Sequence, residues 1–150
     1  MSGMTLDFGE FMGGLRKLIE ESAPKEVARG MFKGANEWLH DAIYIQPKAP
    51  FDEGSLRGSA RVQLPDGTMC GGGEVTPPTI SLIPGSVIVM KAGFNIVYAA
   101  RWHELSPAQD ARINWTLPGS GRKYLESKMS MFGKKYMDIV GVYLKALLEG

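Results

Sequence analysis

An internal disulfide and a multi-cysteine metal site are excluded at the outset, because the chain holds a single cysteine, Cys70. One lone thiol fits synthesis in a reducing cytoplasm. Histidine is nearly as scarce, with only His40 and His103. That leaves little for a zinc site, which takes four protein ligands, or three and a water. No run of 18 apolar residues occurs, so no membrane-spanning helix is expected. The opening residues, MSGMTLDFGEFMGG, lack the basic start and apolar core of a signal peptide. Excess charge is missing as well: 17 Lys and Arg face 16 Asp and Glu, a net charge of +1. Tight sequence-independent DNA binding rests on a marked basic bias and is therefore disfavoured. There is no internal repeat and, apart from Gly71–Gly73, no low-complexity stretch.

What is present describes an ordinary globular chain. Apolar residues make up 44% and charged residues 22%, and 150 residues suffice for a single domain, 1–150, with its own core. The nine methionines suit irregular packing or adaptable contact surfaces. Residues 4–22 read as a short strand, then a helix with Phe11, Leu15, Leu18 and Ile19 on one stripe, weakened by Gly13 and Gly14. Ser22 is placed to cap a second helix with Pro24 in its first turn. Val27, Met31, Ala35, Trp38, Leu39 and Ala42 form its buried face, and Pro47 and Pro50 end it.

Residues 56–64 read as a strand, with Ala60, Val62 and Leu64 alternating with Arg61 and Gln63, Leu56 anchoring its start and Arg57 pointing away. Pro65-Asp66-Gly67 signals a turn. Nine Gly or Pro among the 22 positions of 65–86 leave no regular element there beyond a short strand near Ile80–Ile83. A loop of that length suits contact with a partner, and truncating it is expected to leave folding intact but reduce assembly. Residues 87–92 read as a strand, and Phe94–Glu104 begins as strand and finishes as a helical turn. Residues 105–120 read as loop anchored by Trp115. From Gly121 a long helix is predicted, with Leu125, Met129, Phe132, Tyr136, Ile139, Val140, Tyr143, Leu144 and Leu147 on its apolar stripe. Gly133 and Gly141 are its points of bending or close packing. The sum is an α+β domain: N-terminal helices and a long C-terminal helix on a small antiparallel sheet, with a long Gly/Pro-rich loop.

Chemistry finds little purchase, and no catalytic, cofactor-binding or metal-binding residue is assigned. His40 reads as a packed or surface histidine. His103 and Glu104 are adjacent, and neighbours on a helix face different ways. Cys70 reads as a small residue in a mobile loop, with no basic neighbour to activate it. Gly71–Gly73 lacks the Lys-Ser/Thr of a phosphate loop. In Gly119-Ser120-Gly121-Arg122-Lys123, Ser120 is placed to cap the last helix, with Arg122 and Lys123 in its first turn. That is either a solvated helix start or a contact for an acidic neighbour or a phosphate. Asp52, Glu53, Glu104 and Asp110 show no acid–base spacing. The chain is not expected to be an enzyme.

One stretch carries more. Ala49-Pro50-Phe51-Asp52-Glu53-Gly54-Ser55-Leu56-Arg57-Gly58-Ser59 resembles the Ala-Pro-x-x-x-Gly-x-Leu-Arg-x-Ser pattern of the small neck proteins of tailed bacteriophages, variously called minor capsid, head–tail joining or tail-completion proteins. Tyr98-Ala99-Ala100-Arg101-Trp102-His103-Glu104 resembles that family's Tyr-Ala segment ending in Glu. Gly121-Arg122-Lys123-Tyr124-Leu125-Glu126 resembles its lead into the C-terminal helix. Order and spacing agree over roughly residues 5–149, with a departure at 65–86, which is longer than a plain hairpin. The resemblance implies a virion protein made in the host bacterial cytoplasm and placed in the neck between head and tail. It implies a homo-oligomeric ring, a hexamer or in some layers a twelvefold assembly. Its partners would be neighbouring neck, portal-side and tail-tube proteins, with genomic DNA passing through without sequence-specific binding. Arg57, Arg61, Tyr98, Arg101, Trp102, His103, Glu104, Arg122 and Lys123 are the candidate contact residues. A tail-terminator or head-stopper ring is the neighbouring alternative. A DNA- or phosphate-binding module using Arg57, Arg61, Arg122 and Lys123 is the alternative of another class.

Overall fold

A computed structural model describes residues 4–7, 24–50, 54–71, 79–83, 87–96 and 98–149. In chain order its elements are β1 (Met4–Asp7), α1 (Pro24–Tyr44), α2 (Ser55–Gly58), β2 (Ala60–Gln63), β3 (Met69–Gly71), β4 (Lys91–Phe94), α3 (Ala99–His103), α4 (Pro107–Arg112) and α5 (Glu126–Glu149). The strands form one antiparallel sheet in the order β1-β4-β2-β3. Phe94 of β4 is paired with both Met4 and Ala60. The α+β architecture expected from the sequence is the one observed. The helix expected around Phe11–Ile19 and the Ser22 cap lie outside the described residues.

α1 follows its sequence pattern and adds to it. All six residues of the expected face are buried, and so are Ala28, Phe32 and Gly30. The helix is covered on two sides because it lies between the sheet and α5. On the α5 side, the Trp38 indole Nε1–H donates to the Leu125 carbonyl at 2.8 Å, and Asp41 accepts from the Tyr136 hydroxyl at 2.7 Å. Gly30 lets the helices close up: a Cβ placed there would lie 2.9 Å from the Val140 Cα. Roughly half a turn round the helix, Phe32 and Leu39 are buried on the side that meets β2 and β4.

Several sequence expectations need correction. The 56–64 strand begins only at Ala60, because Ser55–Gly58 form a helical turn. Gly54 (φ 80°) adopts the left-handed conformation and turns the chain, and Gly58 N–H then closes onto the Gly54 carbonyl at 2.8 Å. Residues 65–86 do contain a strand, β3, which pairs Cys70 with Val62, so Cys70 sits in a sheet rather than a mobile loop. The Pro65-Asp66-Gly67 turn that makes this hairpin is present, with Gly67 at φ 91° and Asp66 accepting from the Thr68 N–H. No strand forms within 79–83; Ile80 is buried there all the same. The apolar run at 87–90 is irregular and β4 occupies Lys91–Phe94, since strand position follows the available pairing partners more than β-propensity. The 105–120 loop contains α4. A capping box starts it: Gln109 N–H donates to Ser106 Oγ, Ser106 N–H donates to Gln109 Oε1, and Pro107 opens the first turn.

The last helix starts at Glu126, five residues later than predicted. Lys123 (φ 54°) is left-handed, which a continuous right-handed helix cannot include. Ser120 therefore caps nothing and forms a parallel bridge with Lys48. α5 departs from helical geometry at Phe132 (φ −125°, ψ 15°), beside Gly133, so bending was placed correctly. Close packing was not: the site a Cβ would occupy at Gly141 is open among the described residues, and the helix–helix contact uses Gly30 of α1 instead.

Lys128 is a buried amine on the first turn of α5. Its ammonium donates to the Pro47 carbonyl (2.6 Å), the Tyr124 carbonyl (3.1 Å) and Ser127 Oγ (3.2 Å). Burial pushes its pKa down to about 8 from 10.5. Below pH 8 both folded and unfolded chains hold the proton, and the folded chain carries the desolvation cost. Between about pH 8 and 10.5 the unfolded chain binds more protons, so stability rises with pH. The wild type should thus gain urea resistance between pH 8 and 10, whereas Lys128→Met should show a flatter profile. Parallel profiles in urea titrations would refute this.

Candidate functional site

α3 and the residues around it form the most developed site. The segment before α5 holds α3 in place from three directions. Tyr124 donates its hydroxyl to the Ala99 carbonyl (2.8 Å), Lys123 N–H donates to the His103 carbonyl (2.9 Å), and Glu126 N–H donates to His103 Nε2 (3.1 Å). The Tyr124 ring also meets Phe94 and His103 edge-on at 5.5 and 5.0 Å. With Nε2 accepting, His103 carries its proton on Nδ1 and donates to Glu104 Oε1 at 2.8 Å. Burial lowers the His103 pKa, so the ring is neutral at pH 7.

Glu104 is paired with Lys123, which also lies 3.0 Å from Glu126. The Lys123 contact, then the His103 hydrogen bond, hold the Glu104 carboxyl below its usual range. Glu104 in turn raises the Lys123 pKa. The expectation that His103 and Glu104 point apart is corrected: they touch, at the end of α3, where Glu104 has left the helix.

The outer side of α3 opens onto a groove of about 580 Å³. Tyr98, Arg101 and Trp102 line one side; Pro50, Ser55 and Leu56 come from the α1–α2 region; Ile113–Thr116 come from the stretch after α4. Trp102 and Trp115 meet in a T-shape at 5.7 Å, and the Arg101 guanidinium lies 5.7 Å from the Trp102 ring centre. Two of the three segments singled out in the sequence thus share one groove, and the third braces it. Trp115 was legible only as a loop anchor; its place here depends on α4, whose capping box was in the sequence.

The remaining candidates are placed elsewhere. Arg57 folds back to the Ile43 carbonyl (3.0 Å) and the Ala49 carbonyl (3.4 Å), at the end of α1, rather than pointing away from a strand. Arg61 donates to the Gly58 and Ala60 carbonyls. Arg122 donates its Nε–H to the Leu105 carbonyl and its backbone N–H to Asp110. Neither Arg122 nor Lys123 sits in a helix first turn, so neither the solvated helix start nor the alternative anion contact arises at that position.

Among the described residues, two groups of side chains have the spacing of metal ligands, Glu37-His40-Asp41 and His103-Glu104-Glu126. In each a lysine already bridges the carboxylates. Lys135 lies 2.9 Å from Asp41 and 3.7 Å from Glu37, and Lys123 pairs with both Glu104 and Glu126. His40 is exposed, and its ring centre lies 4.6 Å from that of Tyr44 with the planes tilted by 43°. No helix among the described residues is long and apolar enough to cross a membrane. No protein-family model, no curated protein and no solved structure matches the chain.

Proposed function

We propose that the chain is a structural ring protein of a tailed-phage neck, joining the DNA-filled head to the tail and leaving a channel for DNA. The observation that carries this reading is the convergence of the three family-like segments. Ala49–Ser59 contributes Pro50, Ser55 and Leu56 to the groove, Tyr98–Glu104 contributes its aromatic wall, and Gly121–Glu126 clasps α3 from behind. A surface built from three distant segments is what a subunit contact needs, since it forms only in the folded chain. A tail-terminator or head-stopper ring would use the same architecture. The DNA- or phosphate-binding alternative is less well supported: Arg57, Arg61, Arg122 and Lys123 each donate to groups within the chain.

The truncation expected to spare folding but reduce assembly narrows in extent. Removing all of 65–86 would delete β3 and the buried Ile80, whereas residues 72–78 lie between them. Replacing 72–78 by a short Gly-Ser link should leave the thermal midpoint within a few degrees of wild type and abolish ring formation. The wild type should give annular particles of six or twelve copies by mass measurement and electron microscopy, alone or on neighbouring virion proteins. A chain that stays monomeric under both conditions overturns the reading.

A further inference from the structure

Two surfaces at opposite ends of the sheet have complementary chemistry. The first is the groove on α3 together with the hollow beside it. The two share Arg101, Trp102 and Ile113, and the hollow, of about 420 Å³, adds Gln109 and Arg112. Arg101 and Arg112 are exposed, and among the described residues no carboxylate lies within ion-pair distance of either. Glu104 also borders the hollow but is already paired with Lys123. Aromatic faces thus lie beside two guanidinium groups that lack a counter-charge among the described residues.

The second surface is the tip of the β2–β3 hairpin. Pro65 and Asp66 of the turn border a cleft of about 160 Å³ with Ile83 and Val87. Ile83 is the most exposed large apolar side chain among the described residues, at 76%, and Val87 is exposed at 55%, so an aliphatic patch faces water there. The Asp66 carboxylate accepts from the Thr68 N–H, and no cation among the described residues lies within ion-pair distance of it.

Strand register sets the two surfaces apart. Ala60 pairs with Phe94 and Gln63 with Lys91, so the start of β2 and the end of β4 share one end of the sheet. The groove is built at that end: α2, with Ser55 and Leu56, leads into β2, and Tyr98, Arg101 and Trp102 follow β4. The hairpin turn follows Gln63 and Val87 precedes Lys91, at the other end. Three strand rises, about 10 Å, separate the two ends before either surface begins. A chain therefore presents both surfaces at once and cannot seat its own tip in its own groove. A second copy supplies what each surface lacks: a carboxylate for the guanidinium groups and aliphatic side chains for the aromatic faces. Nucleic acid is the poorer match, because Arg57, Arg61 and Arg122 are turned to carbonyls within the chain and add no cationic track to the groove. Contact between different surfaces of successive copies is head-to-tail, the geometry that closes into rings.

We infer that the groove on α3 receives the β2–β3 hairpin tip of an adjacent copy, with Asp66 against Arg101 and Arg112, and with Ile83 and Val87 against the Trp102–Trp115 pair. The inference rests on the ring reading and names its subunit contact.

The test is self-association of the full chain, followed by sedimentation velocity over a concentration series. Arg101→Glu with Arg112→Glu should weaken association about tenfold, and Asp66→Arg about three- to tenfold, as expected for charges at a rim. Combining the three changes should recover most of the loss. Ile83→Asp should weaken association about thirtyfold or more, since it sets an unpaired charge against the tryptophans. All four side chains are exposed or at a turn, so the thermal midpoints should stay near wild type. The decisive sample is a mixture of the Ile83→Asp chain with the Arg101→Glu, Arg112→Glu chain. Each retains the surface that the other has lost, so together they should form a one-to-one dimer and nothing larger. No dimer in that mixture, or no recovery in the charge-swapped chain, overturns the inference. Rings that form normally in every variant overturn this contact and leave the ring reading standing. If single-stranded oligothymidine binds the wild type and the double glutamate change abolishes that binding while rings persist, the groove belongs to nucleic acid and the second-copy occupant is overturned. A wild-type chain that forms no ring, alone or on neighbouring virion proteins, overturns the ring reading, and the complementary mixture still decides whether tip and groove meet.

Discussion

Trp38→Ala is expected to cost about 3–5 kcal/mol, the range for truncating a fully buried tryptophan. At this chain length that corresponds to a fall in thermal midpoint of roughly 6–20 °C. Trp38 has no exposed surface, and it fills the space between α1 and α5, with its ring 6.5 Å from that of Tyr136. Its indole N–H also satisfies the Leu125 carbonyl, just ahead of α5. Alanine would leave a cavity and remove one of two donors to the Leu125 carbonyl, which also accepts from the Lys128 N–H at 3.2 Å. Trp38→Phe keeps most of the volume and loses the hydrogen bond, so it should cost about 1–3 kcal/mol. Thermal and urea unfolding of the two variants separates the contributions, and a loss below about 1 kcal/mol for alanine would contradict the burial described.

Gly30→Val should destabilise by about 3 kcal/mol through overpacking. The added Cβ would lie 2.9 Å from the Val140 Cα and 3.4 Å from the Tyr143 Cβ. The nearest atom is backbone, so no rotamer change relieves the clash, and the helices must separate along a contact that includes Trp38 and Asp41. Gly141→Ala is the control. It lies within a helix, with nothing within 4 Å of the new methyl among the described residues. It should stabilise by about 0.5–1 kcal/mol, because alanine loses less backbone entropy on folding. Equal effects at the two glycines in urea unfolding would refute the close approach of α1 and α5.

The candidate site was legible in parts. Tyr98, Arg101 and Trp102 were marked from the sequence and do line the groove, while Arg57 and Arg122 were marked as contact residues and turned out to donate to backbone carbonyls. A long basic side chain reads the same in sequence whether it ends in solvent or on a buried carbonyl. Lys128 was not marked, because a lysine beside an apolar stripe reads as solvated; only the approach of the Pro47 carbonyl, 81 residues away, gives its ammonium a buried partner.

What the sequence determined by itself was local. The apolar period of 3.6 residues placed α1 and most of α5, and the Pro65-Asp66-Gly67 signal placed the turn at Gly67. These follow from interactions within a few residues, which a linear reading contains. Tertiary structure decided the rest. Strands of three or four residues carry too little alternation to fix their own bounds, so β3 and β4 exist where β2 and β1 offer partners. The start of α5 was set by Lys123, whose left-handed backbone accompanies its N–H bond to His103 and its ion pair with Glu104. The groove likewise required α3, the α1–α2 region and the stretch after α4 to meet, a juxtaposition that depends on long-range packing and on no single stretch of sequence.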